Sequence, residues 1–297
     1  MPVAMSRFEP LPGIFEPSGV QQLPDGRFLV IEDEKEFPFC LLALDADGKM
    51  TGSPLAVAAP DKLNDLEGLT LGPSGHLYAI TSHSRDGDAE VKKSRRRLVR
   101  FRVVGDAIVD AAVFDGLLPA LAAAHPALAA AAQVANVKEG GGLNIEALEM
   151  APDGKELLVG LRGPLIDDRA VVAVLAGPDA LFDGDAPAKV LIRTVDLGAQ
   201  GIRSLAWLPA LRGYLVVSGP LSREKAAFGL WLWDGTEAAA RRVSIQGVND
   251  MARTEGATAA QVGSKAMVLL VSDDGDRSAG RPANRLLVDV ARLLVAP

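Results

Sequence analysis

Five times along the chain a short, strongly apolar run ends abruptly in polar or charged residues. The runs are Arg27-Phe28-Leu29-Val30-Ile31 before Glu32-Asp33-Glu34, His76-Leu77-Tyr78-Ala79-Ile80 before Ser82-His83, Glu156-Leu157-Leu158-Val159-Gly160 before Arg162-Gly163, Gly213-Tyr214-Leu215-Val216-Val217 before Ser218-Gly219, and Met267-Val268-Leu269-Leu270-Val271 before Ser272-Asp273. Their length and composition read as β-strands. Pro24-Asp25-Gly26, Pro73-Ser74-Gly75 and Pro152-Asp153-Gly154 precede three of them and are hairpin chemistry, so each unit starts as a β-hairpin.

Ahead of each run stands an echo of one motif, fullest in Asn64-Asp65-Leu66-Glu67-Gly68-Leu69. Superposing the echoes puts Ser18, Glu67, Glu146, Arg203 and Glu255 at one position, with gaps of 49, 79, 57 and 52 residues. That is the spacing of propeller blades, with one insertion in the second gap. Four units expand to four strands each: 18–23, 28–32, 40–45 and 53–58; 66–71, 77–81, 98–104 and 108–114; 145–150, 157–161, 170–175 and 190–196; 202–208, 214–218, 229–233 and 241–245. The fifth shows only 255–260, 267–272 and 285–291, while a spare β-type stretch, 6–12, precedes the first unit. A strand from one terminus completing the blade begun by the other leaves no open sheet edge at the junction. The expected fold is therefore all-β: one domain over 1–297, a single five-bladed β-propeller closed by the N-terminal strand, with six blades as the alternative.

Two segments fall outside the blade pattern. Residues 117–136 read as a helix or helical hairpin broken at Pro126, either a surface cover or a lid, followed by Glu139-Gly140-Gly141-Gly142. The charged loop from Asp86 to Arg97 reads as a solvated hairpin end or a phosphate-gathering rim.

Composition narrows the class. With 297 residues, 48% hydrophobic and 23% charged, the chain can bury a substantial core. A net charge of -7 argues against a nucleic-acid footprint. The lone Cys40 lies in an apolar run and reads as a buried hydrophobe. No secretory leader is visible in Met1-Pro2-Val3-Ala4-Met5-Ser6-Arg7, and no segment reads as a membrane span, so a cytoplasmic location is expected. Trp207, Trp231 and Trp233 fall in strands of the fourth unit and are expected to pack between blades.

The chemistry is expected where the repeats converge. Starts of innermost strands ring the axis, which brings Ser18, Glu67, Glu146, Arg203 and Glu255 together. Ends of the second strands form another ring with Glu32-Asp33-Glu34, His83-Ser84-Arg85, Arg162-Gly163-Pro164, Ser218-Gly219-Pro220 and Asp273-Asp274. A divalent cation (Ca²⁺, Mg²⁺ or Mn²⁺) could be held by Glu67, Glu146, Glu255, Asp65 and Asp33, with Asn144 nearby. Arg85, Arg162 and Arg203 would suit a phosphate or carboxylate group, and His83 a proton carrier. The competing reading is that the arginines simply neutralise the glutamates. No Gly-x-Ser-x-Gly, P-loop, His-Glu-x-x-His or Cys-x-x-Cys motif is present. Asp45-Ala46-Asp47-Gly48 opens like a calcium loop, but Ala56 stands where a bidentate Glu is needed, so it reads as a turn.

Ser18-Gly19, Asn64-Asp65-Leu66-Glu67-Gly68, Ser82-His83-Ser84-Arg85, Leu143-Asn144-Ile145-Glu146, Leu161-Arg162-Gly163-Pro164-Leu165, Gly201-Ile202-Arg203 and Glu255-Gly256 together resemble a bacterial family of unknown function related to phytase-like and esterase-like propellers. Ala147 departs from the Gly that follows the glutamate elsewhere. The resemblance implies a propeller, and its phytase-like relatives bind calcium and hydrolyse phosphate esters. The expected function is a metal-assisted hydrolase of a phosphate or other ester. The alternative is a non-catalytic propeller binding a small anionic molecule or a protein partner, with no nucleic acid or membrane involved.

Overall fold

The computed structural model describes residues 7–33, 38–59, 62–135, 137, 141–184, 188–222, 227–236, 238–251 and 253–297. Among the described residues 21 strands form five small antiparallel sheets. The first blade holds β2 (Pro17–Gln22), β3 (Phe28–Glu32), β4 (Phe39–Leu44) and β5 (Met50–Val57) in that order. The second holds β6 (Leu66–Leu71), β7 (Leu77–Thr81), β8 (Leu98–Val104) and β9 (Ala107–Phe114). The third holds β10 (Asn144–Met150), β11 (Glu156–Gly163), β12 (Ala170–Ala176) and β13 (Val190–Val195). In the fourth are β14 (Gly201–Leu208), β15 (Gly213–Gly219), β16 (Gly229–Trp233) and β17 (Arg241–Ile245), and in the fifth β18 (Thr254–Val262), β19 (Lys265–Ser272) and β20 (Asn284–Asp289).

Five blades, not six, close the ring. The N-terminal β1 (Glu9–Pro10) pairs with β20 and completes the fifth blade, as expected, although only two residues of the anticipated 6–12 are strand and Ser6 lies outside the described residues. The tail differs from expectation. The strand expected over 285–291 stops at Asp289, whose side chain caps a short 3₁₀ turn, Val290–Arg292, through the Ala291 N–H at 2.9 Å. The chain then continues into β21 (Leu293–Val295), which pairs with β17 as a fifth strand of the neighbouring blade. Three residues after a turn carry too little periodicity to read as a strand.

The apolar runs are continuous because strands β3, β7, β11, β15 and β19 are buried on both faces. In β3, Leu29 and Ile31 enter the seam with the second blade, while Phe28 and Val30 enter the seam with the fifth. Each of the five apolar clusters fills one seam between adjacent blades, so the core is divided into five radial wedges. Trp231 and Trp233 lie in the seam of the third and fourth blades, with Arg242 stacked 3.8 Å over Trp231, and Cys40 is buried between the fifth and first.

The insertion is a helical hairpin, α1 (Leu117–Ala124) and α2 (Pro126–Ala131), broken at His125 and Pro126. Leu117, Leu121 and Leu128 are buried in the seam between the second and third blades. Residues 136 and 139–140 of the expected segment lie outside the described residues. Among the described residues no helix is long and apolar enough to cross a membrane. The Asp45 turn is a hairpin end, its carboxylate accepting from the N–H groups of Asp47 and Lys49.

Phe39 is fully buried and meets Phe101 edge-on at 5.3 Å. Phe39→Ala is expected to cost about 3–5 kcal/mol in denaturant unfolding, because a cavity in a closed ring has little room to collapse; a cost under about 1 kcal/mol would mean the wedges repack freely.

Candidate functional site

Each innermost strand carries one residue too many for its partner. In the first blade, Pro17 stands opposite Glu32 and Gly19 opposite Ile31, which leaves Ser18 without a partner. The same irregularity leaves out Glu67, Glu146, Arg203 and Glu255 in the other blades. A β-bulge releases one residue from the ladder and re-aims its side chain. The ring aligned from the repeats is thus a ring of five bulges, and all five residues face one cavity of about 810 Å³. The following glycine has a steric reason: a Cβ on Gly68 would lie 2.7 Å from the Leu148 backbone nitrogen. The third blade tolerates Ala147 because its cross-strand partner is Gly160, whose missing Cβ would lie 2.9 Å from the Ala147 methyl.

Glu146 is the hub of the ring. Its Oε1 accepts from Asn144 Nδ2 at 2.7 Å and Arg162 Nη1 at 3.0 Å, and its Oε2 from Arg203 Nη1 at 2.5 Å. The same Arg203 nitrogen donates to Glu255 Oε1 at 2.9 Å, joining three blades. Burial works against the Arg203 cation, but Glu146 and Glu255 outweigh it and hold its pKa above the ordinary value. Arg162 is itself extra in its strand, and its Nε and Nη2 donate to the carbonyls of Pro220 and Ser222 at 3.0 and 3.2 Å. Across the bowl, Arg95 pairs with Asp65 and donates to Ser84 Oγ at 2.8 Å. Ser18 Oγ donates to the Leu66 carbonyl at 2.5 Å, tying the first blade to the second.

Most of the remaining charged lining among the described residues is carboxylate. Glu67 has no hydrogen bond or ion pair among the described residues. Burial, then the neighbouring Asp65, Glu146, Glu255 and Asp33, push its pKa well above the usual carboxylate range. Glu255 is pushed to about 8 by burial, with Arg203 opposing and Glu146 reinforcing. Burial and Asp65 carry Asp33 to about 6, and burial and Glu16 raise Asp273.

Of the residues expected to hold a metal, Glu67, Glu146, Glu255, Asp65 and Asp33 all line this one cavity, as do Arg85, Arg162 and Arg203. His83 does not. It is 2% exposed, its Nδ1 faces the Thr81 carbonyl at 2.8 Å, its Nε2 is buried without a partner, and burial lowers its pKa to about 4. The left-handed backbone at His83 (φ 57°) interrupts the strand pattern from which its position was read. Ser218 and Asp274, also expected in the second ring, serve internal bonds: Ser218 to Gln200 and Trp231, Asp274 to Ser272 and Asn284. The charged loop supplies Asp86, Asp88 and Arg95 to the wall and Arg85 stands just before it, while Lys92 pairs with Asp86 and Lys93 with Asp115. Ala135 and Val137, beyond α2, reach the rim.

The carboxylates encircle the cavity rather than gather at a point. Among the described residues no three His, Cys, Asp or Glu side chains stand close enough to share one metal ion. Glu146, Glu255 and Asp65 are engaged by guanidiniums, leaving Glu67 and Asp33 as the free candidate ligands. Glu16 joins the lining although the ring alignment did not single it out. It stands two residues before Ser18, as Asp65 and Asn144 stand two before their ring glutamates, so the repeat itself carried the signal.

Fold and site define a five-bladed β-propeller with an acidic bowl at its axis. No protein-family model matches the chain and no curated protein does. Solved structures similar to it include a glucose dehydrogenase (11% identity, 95% of this chain and 98% of that one, TM-score 0.47). Others are the periplasmic gluconolactonase of Pseudomonas aeruginosa (12%, 95% and 88%, 0.42) and the hydrazine synthase of Kuenenia stuttgartiensis (11%, 100% and 68%, 0.40). Likeness at this level says nothing of ligand or reaction.

Glu255 and Glu149 both have folded-state pKa values near 8, above the ordinary 4.5, so the folded protein holds protons that the unfolded chain releases. Their contribution to stability therefore falls as pH rises from about 4.5 to about 8. The melting temperature is expected to drop across this window and Glu255→Gln to remove part of the drop; a wild-type curve that rises through it contradicts the assignment.

Proposed function

We propose that the bowl binds a small cation and that the protein is a ligand-binding propeller. The observation that carries this reading is the Glu67 carboxyl, facing the cavity without a hydrogen bond or ion pair among the described residues. Among the described residues nine carboxylates and four guanidiniums line the cavity, and three of the four guanidiniums are already in ion pairs. Such a surface concentrates cations and repels anions. A cation beside Glu67 would replace its proton and relieve the repulsion that burial intensifies. Ca²⁺, Mg²⁺ or Mn²⁺ would find one or two free carboxylates there, Glu67 and Asp33, and would retain water in its remaining positions.

Hydrolysis of an anionic ester is less well supported. It needs guanidiniums free to clamp the anion and a proton carrier at the cavity, whereas Arg95, Arg162 and Arg203 are engaged and His83 is turned elsewhere. Only Arg85, donating to the Ala89 carbonyl at 3.1 Å, lines the cavity outside an ion pair among the described residues.

Thermal melting at pH 8 with Ca²⁺, Mg²⁺, Mn²⁺, 1,4-diaminobutane or inorganic phosphate tests the reading. At least one of the cations is expected to raise the melting temperature, phosphate to leave it unchanged, and Glu67→Gln to abolish the cation effect. Stabilisation by phosphate alone would overturn it.

A further inference from the structure

We propose that the cation taken by the bowl is an organic diamine, with one ammonium group at Glu67 and the other at the rim formed by Glu16, Asp33 and Asp273. This rests on the cation-binding reading and narrows it.

Three features separate this ligand from a bare metal ion. The first is geometry: a metal needs several oxygens converging on one point, and among the described residues no three candidate side chains do so. An ammonium group is a compact charge with three rotatable donors and accepts more loosely placed carboxylates and carbonyls. The second is size, since about 810 Å³ far exceeds the space one ion fills and suits a small molecule.

The third is the uneven neutralisation of the wall. Glu146 of the third blade and Glu255 of the fifth are matched by Arg162 and Arg203. On the side of the fifth, first and second blades, Asp65 is matched by Arg95, Asp33 feels Asp65, Arg95 and Glu16, and Asp273 feels Glu16, Arg253 and Arg203, yet among the described residues Glu16, Asp33 and Asp273 are in no ion pair. Among the described residues the carboxylates deep in the bowl that lie outside ion pairs are therefore Glu67 in the bulge ring and Glu16, Asp33 and Asp273 at the ends of the neighbouring strands. A two-headed cation answers both at once. Among the described residues the lining includes no aromatic side chain, which disfavours a quaternary ammonium group, while Ala89, Ala135 and Val137 offer apolar contact to a methylene chain.

The test is calorimetric titration of the full chain at pH 8 with 1,4-diaminobutane, 1-aminobutane and, separately, Ca²⁺, Mg²⁺ and Mn²⁺. The proposal expects one diamine per chain, at least tenfold weaker binding of 1-aminobutane, and a loss of at least tenfold in each of Glu67→Gln and Asp33→Asn. Two variants guard against one failing to fold, and both are nearly isosteric. A metal ion that binds and displaces the diamine would overturn the diamine but leave the cation reading standing. Absence of binding by every cation would overturn both. Diamine binding unchanged in Glu67→Gln and Asp33→Asn would place it elsewhere and also overturn the proposal.

Discussion

The Glu146 carboxylate is the contact on which the centre of the molecule depends. It accepts three hydrogen bonds, two of them from guanidiniums, and one of those guanidiniums continues to Glu255. A carboxylate buried this deeply is tolerated only when charged donors surround it, and removing one partner strands the other. The third, fourth and fifth blades are therefore fixed at the axis by charge, whereas the first and second meet through the neutral bond from Ser18 to the Leu66 carbonyl. Across the bowl Arg95 takes up Asp65, and among the described residues Glu67, Glu16, Asp33 and Asp273 are left outside ion pairs.

Bulges make this arrangement possible. Without them, a residue at the ring position would alternate into a seam and compete with Leu and Val for apolar space. With them, five side chains leave the ladders at one level and meet in the cavity. Hydrophobic wedges hold the blades apart at fixed angles, and the bulges spend that rigidity on placing charge.

The fold was legible because its signal is repeated. Five apolar runs of similar length, each behind the same motif, pointed to five blades ahead of six and to the strand order, and strands β6, β7, β8, β16 and β17 lie where the pattern put them. Single events escaped it: β21 is three residues after a turn, and β1 is two. The ring was legible for the same reason, and Ser18, Glu67, Glu146, Arg203 and Glu255 all reach the cavity. What the pattern did not carry was the pairing. That Arg162 and Arg203 converge on one glutamate while Glu67 is left alone depends on contacts between blades, and that His83 turns away depends on one left-handed backbone angle. Such choices decide between an anion clamp and a cation site, and they have no period in the sequence.

Among the described residues Glu67 stands unneutralised beside other carboxylates. Carbon-13 NMR of the glutamate side-chain carboxyls, assigned to Glu67 by comparison with Glu67→Gln and followed over pH without added cations, tests it most directly. The Glu67 carboxyl is expected to keep its proton well above the ordinary value of 4.5 and to lose it at lower pH when the binding cation is added. Titration of Glu67 at or below 4.5 in the cation-free protein would mean that a positive partner already faces it, and would contradict the account.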